Sequence, residues 1–221
     1  MVTAWTRGVP FTVAEVRLMS EAADTPRFSQ DRKRWATSAD RLADRCYREH
    51  FDVGDADLYD LEALVDAVHD RDAGYRTHQL LDYGGLDRLV DCGDRHVHIA
   101  QRWRPVAGGD DLSLRTDNGV PGREAELRKW RTAHEGRGYY PDVIAFGHYE
   151  GTLEAFRWFA LLDTETVLAA LSADRLDPPE HATGDGTAAV YVPVADLRRI
   201  GAVIREWERL IAPDSEGGWD G

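Results

Sequence analysis

Residues 84 to 104 gather the side chains of this chain best suited to handling a charged substrate. The segment reads Gly-Gly-Leu-Asp-Arg-Leu-Val-Asp, a turn at Cys92-Gly93-Asp94, then Arg-His-Val-His-Ile-Ala-Gln-Arg-Trp-Arg. Apolar residues alternate or cluster over strand-like lengths on both sides of the turn, which predicts a β-hairpin with strands over Leu86 to Cys92 and Arg95 to Arg104. Asp87 lies on the first strand, with Asp91 on the same face, and Gln101, Arg102 and Arg104 end the second. A carboxylate beside such a cluster can hold a divalent cation next to a phosphodiester, because the ion takes oxygen ligands and the phosphate takes a nearby cation.

Other reactive residues admit two readings each. His96 and His98, two apart on one strand, share a face that could bind a transition metal, though no third ligand is visible and the solvent-facing reading is the better one. Glu62 offers a further oxygen ligand, or belongs with Asp60, Asp66 and Asp70 to the polar side of a helix. Tyr139, Tyr140, Asp142 and His148 border a cleft or pack a strand start. Arg32-Lys33-Arg34 with Trp35 touches a phosphate backbone or is a solvated run. Walker loops, dinucleotide glycine fingerprints, nucleophile elbows and paired-cysteine zinc patterns are missing from the sequence.

The elements that must position these residues follow from periodicity. Thr12 and Glu15 form a capping box for a helix over Val13 to Ala23, closed by Pro26. Helices are expected at Ser38 to His50, at Asp60 to Asp70 and, short and polar, at Arg123 to His134, where Glu135-Gly136 stops it. After the hairpin come a strand over Asp111 to Arg115 and the loop Asn118 to Gly122. Buried strands follow at Val143 to Tyr149 and Phe156 to Leu162, then a helix over Thr164 to Ser172. Residues Ala173 to Gly186 read as loop and Thr187 to Val192 as a strand. Leu197, Ile200, Ile204, Trp207 and Ile211, at spacings of three and four, predict a final helix.

These elements amount to one α/β domain over residues 1–212, with a helical N-terminal third, a mixed sheet of about five to six strands flanked by helices, and a disordered tail over 213–221. A chain of 221 residues, 43% hydrophobic, can bury one sizeable core. No stretch is apolar enough to span a membrane, and Met1 to Pro10 lacks the order of a signal peptide, so no membrane partner and a cytoplasmic location are expected. Cys46 and Cys92 match neither a disulfide framework nor a zinc spacing.

The formal net charge is −13, and Lys33 and Lys129 are the only lysines. An acidic, lysine-poor, aspartate-rich surface fits a halophilic protein kept soluble in very high salt, while a GC-rich genome would give the same arginine bias. An acidic chain is ordinarily repelled by nucleic acid. At molar salt the Debye length falls to about 3 Å, so charge alone does not exclude a polynucleotide partner.

Gly85-Leu86-Asp87, the short turn, and Ile99-Ala100-Gln101-Arg102-Trp103-Arg104 resemble a divergent branch of the PD-(D/E)XK nuclease superfamily. The likeness spans residues 60 to 162 and includes Leu112 to Arg115 as a third strand and Glu126 to Lys129 as a helix. It implies that Asp87 is a metal-binding aspartate, that Gln101 stands where many members have a glutamate, and that Arg102 lies near the usual catalytic lysine. Mg²⁺ or Mn²⁺ would be held by Asp87, Gln101 and Glu62, and Arg104 and Arg115 would contact the phosphates of DNA or RNA. The family pattern needs acid and lysine at alternate positions, whereas Gln101 and Arg102 are adjacent and point oppositely. If Gln101 faces the ion, its partner is Trp103. If Arg102 does, its partner is Ala100 and the carboxylate is lost. The expectation is therefore a metal-dependent nuclease, or alternatively a catalytically degenerate nuclease-fold protein that binds nucleic acid or serves as an accessory.

Overall fold

The computed structural model describes residues 26–60, 86–105, 110–117, 119, 124–137, 139–149, 155–182 and 187–211. The helix expected over Val13 to Ala23, nearly all of that over Asp60 to Asp70, the candidate ligand Glu62 and the tail lie outside the described residues.

Helix α1 spans Pro26–Phe51. It extends well beyond the expected start at Ser38, and Pro26, read from the sequence as a terminator, opens it. A proline in the first turn costs nothing, since its missing N–H has no partner there in any helix. Ala39, Leu42, Ala43, Cys46 and Tyr47 recur at helical spacing and are all buried.

The sheet that α1 covers has six strands in the order β1-β2-β3-β5-β6-β9. They are β1 (Leu58–Asp60), β2 (Arg88–Asp91), β3 (His96–Pro105), β5 (Val143–Tyr149), β6 (Ala155–Asp163) and β9 (Val203–Ile211). The predicted hairpin is β2 and β3, antiparallel, with Arg88 opposite Ile99 and Asp91 opposite His96. β3 and β5 run parallel, with Gln101 opposite Ala145 and Arg102 opposite Phe146, and the remaining pairs are antiparallel. Parallel neighbours need a crossover, and the chain between β3 and β5 contains helix α2 (Glu126–Thr132).

A second sheet, order β4-β8-β7, joins β4 (Asp111–Asp117), β8 (Ala188–Pro193) and β7 (Glu180–Ala182). Two expectations change here. The strand at Leu112 to Arg115 forms, but in this smaller sheet, and β7 appears inside the segment read as loop. A three-residue strand whose residues are all exposed carries too little apolar pattern to be read in advance.

Helices α3 (Thr164–Ser172) and α4 (Val194–Arg199) complete the described α-helices. Asp163 caps α3 by accepting from the Thr166 N–H at 2.9 Å. The long helix expected through Ile211 does not form. Gly201, at φ 75, and Ala202 close α4, their N–H groups donating to the carbonyls of Arg198 and Leu197, and the chain leaves as β9.

The large sheet thus separates two cores. On one face Val90, Val97, Ile99, Phe159 and Leu161 pack against α1. On the other Ala100, Ile144, Phe146 and Ala160 meet α2, α3, α4 and the small sheet.

Candidate functional site

β3 distributes the candidate residues between those two faces. Alternation sends Val97, Ile99, Gln101 and Trp103 toward α1, and Ala100, Arg102 and Arg104 to the opposite side. Asp87 precedes β2, and its N–H donates to the Ile99 carbonyl at 2.9 Å, so it continues the hairpin ladder. That register sets Asp87 beside Ala100 and Arg102.

The Asp87 carboxylate is occupied by this chain's own donors. Its Oδ2 accepts the Gln101 backbone N–H at 2.6 Å and an Arg102 Nη1–H at 3.3 Å. The other side of the guanidinium forms an ion pair with Glu126, in the first turn of α2. Arg102 also lies over the Trp130 ring, 5.6 Å from its centroid. One guanidinium therefore clasps a hairpin carboxylate and a helix carboxylate above an aromatic floor. Burial raises the Asp87 carboxyl above the usual carboxylate range, opposed by Arg102 and by the Gln101 N–H. Because 41% of the side chain still meets solvent, water screens much of that penalty, and the pairing geometry defines the site.

Gln101 does not bring its amide to Asp87. Its Nε2 donates to the buried Tyr47 hydroxyl at 3.0 Å, on the α1 face. A second polar cluster lies on that face. Arg88, almost fully buried, meets Asp40 at 3.1 Å, Asp44 at 3.5 Å and Asp60 at 3.0 Å. Burial pushes the Asp40 carboxyl up to about 6 against the pull of Arg88, and raises that of Asp44 as well.

Of the residues assigned to phosphate contact, Arg104 pairs with Asp111 and lies 4.6 Å from the Tyr191 centroid, while Arg115 faces solvent on β4. His96 approaches Asp91 at 3.7 Å, and His98 Nδ1 approaches Asp142 Oδ2 at 3.2 Å with the Tyr139 hydroxyl on the same nitrogen. The two histidines take separate partners. His148 is buried, held between Phe146 and Trp158.

Sequence reasoning missed Glu126 as a partner of the hairpin, and it missed Tyr47 and the Arg88 cluster. The signal for the cluster was present: Asp40 and Asp44 sit four apart, flanking the apolar stripe of α1.

The donor set implied for Mg²⁺ or Mn²⁺ fits poorly. Asp87 and Gln101 send their side chains to opposite faces of the sheet, and residue 100, on the Asp87 face, is alanine. Among the described residues no group of three or more His, Cys, Asp or Glu side chains is arranged to hold a metal ion. No described helix is long and apolar enough to cross a membrane. Family models, curated proteins and solved structures were each compared with this chain, and none matches.

Proposed function

We propose that this chain is a PD-(D/E)XK-like protein in which an acid–guanidinium clasp replaces the hydrolytic centre, and that it acts as a nucleic-acid-binding or accessory interaction protein. The scaffold half of this reading draws support from the element order α1, β1, the β2-β3 hairpin bearing Asp87, β4, α2, then β5 parallel to β3, and departs from it where β4 pairs in the smaller sheet and not beside the hairpin. That half is an argument from element order, which alone never specifies chemistry.

The observation that carries the other half is the pairing of Asp87. Its Oδ2 is shared between the Gln101 N–H and Arg102, and Ala100 occupies the neighbouring position on that face. A divalent ion seated there would have to displace a guanidinium that also binds Glu126. Arginine stays protonated and cannot activate water as a base. The arrangement suits holding the hairpin to α2 better than it suits hydrolysis.

The test is incubation with labelled single- and double-stranded DNA and RNA, at low and high KCl, with Mn²⁺ or Mg²⁺. Intact strands are expected, together with metal-independent retention of at least one of these polymers or of a protein partner. Metal-dependent cleavage that disappears in Asp87→Asn would overturn the proposal.

A further inference from the structure

A cleft of about 650 Å³ opens between α2 and the chain that returns from α3 toward β7, well within the range of small-molecule sites. Arg128 and Arg131 line it from α2, with Glu135 just past them, and Asp174, Asp177 and Glu180 line it from the return, over an apolar floor that includes Leu171 and Leu176. Opposite charges thus share one cavity. Arg128 has only a 3.8 Å approach to Glu124. Among the described residues Arg131, Asp174 and Asp177 take no charged partner within this chain.

Asp174 occupies a left-handed position past its helix, as Asp52 does past α1. It stands one residue past the α3 C-cap, Ala173, at φ 52, a left-handed position that helices usually fill with glycine. An anion there further opposes the helix dipole.

We propose that this cleft binds a small zwitterion, with an anionic group on Arg128 and Arg131, a cationic group on Asp174 and Asp177, and an apolar spacer on the leucine floor. A ligand carrying one charge would satisfy one wall and leave the other unpaired. The inference is independent of the Asp87 clasp.

The experiment is calorimetry and ligand-dependent melting of the full chain with glycine, 4-aminobutanoate and 6-aminohexanoate. Hexanoate and hexylamine serve as single-charge controls. At least one amino acid of the series is expected to bind in the millimolar range, with each control about tenfold weaker or more. Arg131→Gln and Asp177→Asn, both at exposed positions, should each weaken that binding about fivefold or more. Asp174→Gly should also weaken it while raising the thermal midpoint. No binding by any zwitterion, equal binding by either control, or unchanged affinity in Arg131→Gln or Asp177→Asn would overturn the proposal.

Discussion

A single alternation decides what Asp87 can do. Gln101 and Arg102 are neighbours on β3, so only one of them can share its face, and the hairpin register selects Arg102. The sequence made both outcomes explicit, but whether Asp87 stood opposite Ala100 or Gln101 depended on a turn whose length the residues Cys92-Gly93-Asp94 left open by one. Glu126 was beyond reach for a different reason: its meeting with Arg102 is a contact across 24 residues of chain. At the same scale, the buried Asp40 makes a testable statement about pH. Its carboxyl is raised from 3.8 to about 6, so between those values the folded state binds more protons than the unfolded one. Stability contributed by this group therefore falls as pH rises through that window, and the loss is complete above about pH 6. Asp40→Asn cannot ionise. Relative to the parent chain it should gain up to about 3 kcal/mol in unfolding free energy between pH 4 and pH 7.5, read from urea midpoints. A gain in the opposite direction would mean that pairing with Arg88 outweighs burial.

Elements were legible where one period dominated. Val143–Tyr149 and Thr164–Ser172 formed as expected because the strand is buried nearly throughout and the helix has an aspartate cap at its start. The C-terminal element was misread for an equally physical reason. Leu197, Ile200, Ile204, Trp207 and Ile211 imitate a helical stripe, yet the stripe crosses Gly201 at φ 75, where the chain stops being helix. Past that point the pairing of β9 with β6 takes over, with Trp207 opposite Phe159 and Arg205 opposite Leu161. The space around a Cβ at position 201 is open, so substitution there meets backbone strain and no clash. Gly201→Ala should cost about 1–2 kcal/mol in urea unfolding. A neutral result would show that the left-handed residue is not what separates α4 from β9. The exposed edge of β9 carries its own protection: a register irregularity near Ile204 and a left-handed Arg209 bend it away from regular pairing.

For the whole molecule, composition spoke before structure did. A formal charge of −13 on 221 residues implies self-repulsion of the folded surface, and the ion pairs of Arg198 with Glu206, Arg199 with Asp196 and Arg205 with Glu49 offset only part of it. Screening should relieve the remainder. The thermal midpoint is accordingly expected to rise as KCl is increased from about 0.1 M to 1 M, over which the screening length shrinks from about 10 Å to 3 Å. A midpoint that falls would mean that ion pairs, which salt weakens, outweigh net repulsion. A mixed sheet flanked by helices was readable in outline, but the sequence pointed to one buried core, whereas the large sheet separates two. The division into a six-stranded and a three-stranded sheet was not readable, because β4, β7 and β8 find each other only through distant pairing.

The reading of Asp87 as a structural clasp faces its most direct test in titration of Mn²⁺ into the intact chain and into Asp87→Asn, followed by calorimetry. The clasp predicts two indistinguishable isotherms, with only weak heats spread over the acidic surface. A single saturable site in the parent chain that vanishes in Asp87→Asn would contradict it and restore Asp87 as a metal ligand.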